Sequence, residues 1–267
     1  MATIEELKEL YQRAKYREII AAVNVGELKP DSPEDEEKLL QVGWAHHQLG
    51  EYGNSVSIFV SLSKRYPADT EIGESARRGW AHGVLQWTGS ITKADEIMQE
   101  IPSSLARDNV RMNMFIEAVR KGLEIPASEV MAIITNTLAA VPYSTVNGHI
   151  INNGALAFHE ARKQGVVRPY LPILPGLIEV AIGIYETTGA AKNHIAGALF
   201  RASQIFEAAD WKRRAIFVAE ESVAIWRELV SAQDGARYQR NLEGAEKLLR
   251  ELMMDVVRDN RPPSIDR

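Results

Sequence analysis

The sequence predicts an all-α protein, and three observations carry that prediction. Apolar residues recur at helical spacing along nearly the whole chain, and no segment sustains the period-2 alternation of a strand. Ser, Thr or Asp before the periodic runs and Gly or Pro after them punctuate the chain at intervals of 12–20 residues. The tetrapeptide Gly-Trp-Ala-His occurs twice, at 43–46 and 79–82, a spacing of 36 residues that points to an internal repeat.

The elements follow in order. Ile4, Leu7, Leu10 and Tyr11 form one stripe of a first helix. A second runs from Tyr16 and stops before Pro30. The third is opened by Asp31-Ser32-Pro33 and ends at Gly50, and the fourth spans 52–67 up to Pro67. Further helices are expected over 69–88, 90–101, 105–122, 127–141, 145–164, 170–187, 190–208, 211–232 and 235–258, followed by a frayed tail at 259–267. Pro169, Pro172 and Pro175 forbid a regular helix before about 173. About thirteen helices with links of two to five residues must pack as antiparallel neighbours, either as a bundle or as a stack of helix pairs.

Composition narrows the function. The 267 residues are 45% hydrophobic and 25% charged, ordinary values for a globular protein large enough to bury a substantial core. The net charge of −5 carries no global basic footprint for nucleic acid, and the excess acid sits in residues 1–75, with 8 Lys/Arg against 14 Asp/Glu. There is no cysteine, which excludes disulfides, thiolate metal sites and thiol catalysis, and fits a reducing, cytoplasmic setting. The N-terminal stretch lacks the basic and apolar regions of a secretory signal. The most apolar run, 172–185, is too short to span a bilayer and carries Glu179, so a buried helix is expected and no membrane association.

Residues 36–69 resemble a tetratricopeptide repeat. Leu39 and Val42-Gly43 match the first-helix core and its small residue, Gly50-Glu51-Tyr52 the turn, and Phe59, Leu62 and Pro67 the second helix; Ser55 stands where the family usually has Ala. Residues 1–33 fit a first, degenerate repeat through Ala14-Lys15-Tyr16, and 72–103 a third through Gly79, Gly89, Ala94 and Met98. The resemblance implies a right-handed α-α superhelix of about six helix pairs plus a C-terminal helix. Residues 1–104 would form three helix pairs, with 105–258 as divergent repeats packed on them.

The family lines its concave groove with the first helix of each pair. Carried over, the groove positions are Glu37, Leu40, Trp44, His47 and Gln48 in one repeat and Ala76, Trp80 and Gly83 in the next. His46 and His82 would pack behind, between helices. His149, Asn152 and Asn153 share one face at i, i+3 and i+4, where the asparagines could hold a ligand backbone. These groove positions are aromatic or apolar with no basic pair, which speaks against carboxylate clamping and for a peptide or partner helix with apolar side chains. Both tryptophans could instead be covered by the protein's own helices. Arg201, Arg227, Arg237 and Arg240 with the run Lys212–Arg214 form either a surface patch or local ion pairs with Glu207, Glu220 and Glu221.

No Walker A, dinucleotide-binding, nucleophile-elbow or zincin pattern occurs, and adjacent His46 and His47 point to different helix faces. The expected function is a protein-interaction module without chemistry, metal or cofactor, binding a peptide or partner segment. A homo-oligomeric scaffold and an unrecognised helical enzyme remain the alternatives.

Overall fold

Hydroxyl caps set the helix starts. The side chains of Thr3, Ser32, Thr70, Ser90 and Ser103 each accept a backbone N–H three residues on. Thr3 and Glu6 complete a reciprocal capping box. The computed structural model describes residues 2–29, 32–232 and 235–259. Among them lie thirteen α-helices and no strand: α1 (Ile4–Gln12), α2 (Tyr16–Ala22), α3 (Pro33–Gln48), α4 (Tyr52–Arg65), α5 (Glu71–Thr88), α6 (Ile91–Met98), α7 (Ser104–Arg120), α8 (Ala127–Ala139), α9 (Thr145–Glu160), α10 (Leu174–Thr187), α11 (Lys192–Ala208), α12 (Lys212–Ser231) and α13 (Gln239–Asp259).

Two segments depart from expectation. The second helix ends at Ala22 and is followed by a 3-10 turn at Val25–Glu27. The proline-dense stretch Gly165–Ile173 is a 3-10 segment, and α10 begins only at Leu174, with Pro175 in its first turn where no amide hydrogen is needed. The run Gly165–Thr187 is apolar and long enough to cross a membrane by length and composition. In the fold, α10 buries Leu174, Leu177, Ile178, Ala181 and Ile184 in the largest apolar cluster. Pro30, Asp31 and residues 260–267, where a helix stop, a cap and a tail were expected, lie outside the described residues.

Each helix packs on its sequence neighbour, and α1, α3, α5, α7 and α9 also pack on one another in that order, with α11 against α9. The two ends of the chain meet. Leu7, Tyr16 and Ile19 share an apolar cluster with Val223, Trp226, Leu229 and Leu242. Tyr16 Oη donates to Asn193 Oδ1 at 3.0 Å. The Arg237 guanidinium stacks 4.3 Å from the Tyr16 ring centroid and donates to the Ala14 carbonyl at 2.5 Å.

The repeated tetrapeptide has a packing explanation. Phe59 of α4 is fully buried between α3 and α5. A Cβ on Gly43 would stand 2.9 Å from Phe59 Cε1, and one on Gly79 would stand 2.7 Å from Phe59 Cδ2 and closer still to Cε2 and Cζ. The two glycines are therefore notches for opposite edges of a single ring. They are not one position in two successive repeats.

Candidate functional site

The odd-numbered helices line a half-open cavity of about 1730 Å³ that reaches from α1 to α13. Only a few side chains of the even helices reach it, among them Tyr185 of α10 and Trp226 of α12. Glu37, Leu40, Trp44, His47 and Gln48 line it from α3, and His149, Asn152 and Asn153 line it from α9.

Ala76, Trp80 and Gly83 do not line it, which corrects the expectation from the 36-residue spacing. All three belong to the stripe of α5 that faces α4. Ala76 is fully buried in the cluster of Phe59 and Leu62, and Trp80 packs against the same cluster. A Cβ on Gly83 would come within 2.6 Å of Val56 Cγ2. On α5 the cavity is lined by Glu71, Ile72, Glu74, Ser75, Arg78 and His82, of which Glu71, Ser75, Arg78 and His82 answer Glu37, Gln41, Trp44 and Gln48 on α3. The structural offset is thus 34 residues. His82 lines the cavity and does not pack behind it, whereas His46 turns away to meet Glu51 at 2.6 Å.

The lining is polar as well as aromatic, a second correction. Trp44 Nε1 donates to Ser75 Oγ at 3.2 Å, and its ring meets Phe59 edge-on at 4.9 Å and the Arg78 guanidinium at 5.3 Å. Basic groups are present after all. Arg78 comes from α5, and Arg201, expected in a surface patch or in local ion pairs, lines the cavity from α11 with Arg240 of α13. Of the remaining patch residues, Arg227 pairs with Glu246 and Arg214 with Glu179, not with the acids expected from sequence.

Four histidines converge here from four helices. His47 and His82 lie 6.2 Å apart, and His149 and His194 lie 4.7 Å apart, ring to ring. His149 Nδ1 is 2.7 Å from Tyr185 Oη. Burial pushes His47 down to about 4, and it pushes His82 to about 3 with help from the charges of His47 and Arg78. His194 falls to about 4 through burial and then Arg201, and His149 falls well below the usual imidazole value through burial first and the neighbouring cations next. The four rings are therefore neutral near pH 7. Among the described residues no group of three or more His, Asp or Glu is arranged to hold a metal ion.

Hydrogen-bonding capacity is left unused. His82 and Asn109 are 8% and 7% exposed, line the cavity, and have no side-chain hydrogen bond among the described residues. Asn152 donates to Asn153 at 2.9 Å, but its own Oδ1 has no partner, nor has Nδ1 of His47 or Nε of Arg78. Buried polar groups are ordinarily satisfied, so a cluster of unmet ones around a cavity calls for a ligand or water. No protein-family model matches this chain, and no curated protein matches it in sequence.

Sequence reasoning missed Arg78, His82, Asn109, His194 and Arg201. A signal for two of them was present: moving Trp44 and Gln48 forward by 34 residues lands on Arg78 and His82.

Proposed function

We propose that this chain is a binding module without chemistry, a tetratricopeptide-like right-handed α-α superhelix that captures an extended peptide or partner segment in its central cavity. One observation carries the reading. The alternate helices line one cavity, and its wall holds buried polar atoms, Asn152 Oδ1, His47 Nδ1 and Arg78 Nε, that have no hydrogen-bond partner among the described residues. At about 1730 Å³ it exceeds the ~300–1,000 Å³ of ordinary small-molecule pockets. An extended segment needs partners for its backbone amides, and asparagine side chains both donate and accept. The placement of first helices along the cavity and second helices outside it supports the superhelical reading.

A blocking variant tests it. Gly197 of α11 lines the cavity, and a side chain there meets nothing within 4 Å of its Cβ. Gly197→Trp fills the space without disturbing the helix. Gly183 of α10 has equally open surroundings but does not line the cavity, so Gly183→Trp is the control. Peptides selected from a random displayed library against the unmodified protein should lose binding to the first variant and keep it on the second. Equal binding to both would place the interface elsewhere on the molecule.

A further inference from the structure

Most arginines that approach a carboxylate here do so at close range: Arg77 with Glu100, Arg111 with Glu129 and Arg227 with Glu246 at 2.8–3.2 Å. Arg78 and Arg201 have no carboxylate within 4 Å among the described residues. Arg78 has only a 3.5 Å approach to Ser75 Oγ and the Trp44 ring, and Arg201 has no hydrogen bond there at all. Both face the cavity from helices that are not packed neighbours. Both charges act on the imidazole of His149, which lines the same space. The carboxylates nearest to them in the lining are not bound to either: Glu160 is held by Arg120 at 3.5 Å, and Glu74 lies one turn before Arg78 without pairing.

Both guanidinium groups are partly buried, and the carboxylates that act on them, Glu74 for Arg78 and Glu160 for Arg201, do so without an ion pair within 4 Å among the described residues, so their hydrogen-bonding forks are left open to a ligand. The planar fork of arginine matches the paired oxygens of carboxylate and phosphate. We propose that the cavity holds its ligand through an anionic group, a carboxylate or a phosphate, seated against Arg78 and Arg201, with Asn109 and His82 adding neutral hydrogen bonds. The inference rests on the reading of the cavity as the binding site. It assigns that site a ligand chemistry the groove positions carried over from sequence had spoken against.

The test uses the full chain in a buffer free of phosphate and carboxylate. Calorimetry with inorganic phosphate and with succinate is paired with equilibrium dialysis against a random pentapeptide library, its C-termini either free or amidated. Arg78→Gln and Arg201→Gln are compared with Arg78→Lys and with Lys163→Gln, a charge removed from the exposed surface outside the cavity. Circular dichroism confirms that each variant is helical. Each Arg→Gln change should weaken binding by about tenfold to hundredfold, Arg78→Lys by less, and Lys163→Gln not at all. Phosphate binding without succinate or free-peptide binding would identify a phosphate ligand, and the reverse a carboxylate; either, with arginine dependence, supports the seat. Free and amidated peptides retained equally, and undiminished by either Arg→Gln variant, would overturn the anion seat and leave peptide capture standing. Arginine-dependent phosphate binding with no peptide retained would instead overturn peptide capture and leave the seat. No probe bound at all would overturn both.

Discussion

Gly79→Ala sets two large effects against each other at one atom. In a helix interior, alanine is favoured over glycine by about 1 kcal/mol, so on propensity alone the change stabilises α5. The added Cβ would stand 2.7 Å from Phe59 Cδ2 and closer to two further ring atoms. The ring has nowhere to go. It is fully buried, and its opposite edge already fills the notch at Gly43, where a Cβ would meet Cε1 at 2.9 Å. Overpacking of this kind costs about 1–3 kcal/mol and occasionally more. The expected result is net destabilisation of up to about 2 kcal/mol, read as a lower urea midpoint by circular dichroism. The same substitution in a Phe59→Leu background, where the ring is gone, should reverse sign and stabilise. Gly197→Ala, whose Cβ meets nothing within 4 Å, should stabilise in either background. A Gly79→Ala protein as stable as Gly197→Ala, with Phe59 intact, would refute the argument that the repeated glycines exist to admit that ring.

Other outcomes follow from the same structure. His47, His82, His149 and His194, and His159 beside them in sequence terms on α9, are all depressed below the unfolded value of about 6.5. The unfolded chain therefore binds protons that the fold refuses, and each such histidine gives stability a slope of up to about 1.4 kcal/mol per pH unit between roughly pH 6.5 and the folded value. Urea midpoints should hold above pH 7 and fall steeply between pH 6.5 and 5; a flat profile across that range would show that the rings are not held neutral. Arg65→Met leaves Glu36, 2% exposed, as a buried carboxylate without its cation, and should cost about 3–5 kcal/mol in chemical denaturation, while Arg65→Met with Glu36→Gln recovers most of it. Tyr16→Phe removes the hydrogen bond to Asn193 and should cost about 0.5–1.5 kcal/mol, with faster amide exchange in α1 and α2 as its signature.

Helix content was legible because it is a local property. Ser32 caps α3 where the sequence put a cap, and the apolar period places Leu7, Phe59 and Leu62 in the core. The resemblance to a tetratricopeptide repeat brought Trp44, His47, Asn152 and Asn153 to the cavity wall by analogy. The failure at α5 has a geometric cause. A helix turns about 100° per residue, so reading the offset as 36 instead of 34 rotates the expected face by about 200°. That error put Ala76, Trp80 and Gly83 toward the cavity and His82 behind it, the reverse of what the fold does, and passed over Arg78. The proline-dense segment before α10 was correctly denied a regular α-helix, but φ constraints alone do not distinguish a 3-10 segment from a loop.

Arg201 was beyond reach for a different reason: its partners are set by the meeting of the two chain ends. Nothing near position 201 in sequence says that α11 will stand across a cavity from α3 and α5. There α1 and α2 dock against α11, α12 and the turn leading into α13 through Tyr16, Asn193, Trp226 and Arg237. Asn193 belongs to both the closure and the cavity wall, one residue from His194. A ligand that engages Arg78 and Arg201 together, as proposed, should stabilise the folded chain by RT ln(1 + [L]/Kd). Tyr16→Phe lies outside the cavity lining but removes the hydrogen bond to Asn193, and it should weaken binding that spans the two arginines if that contact positions α11.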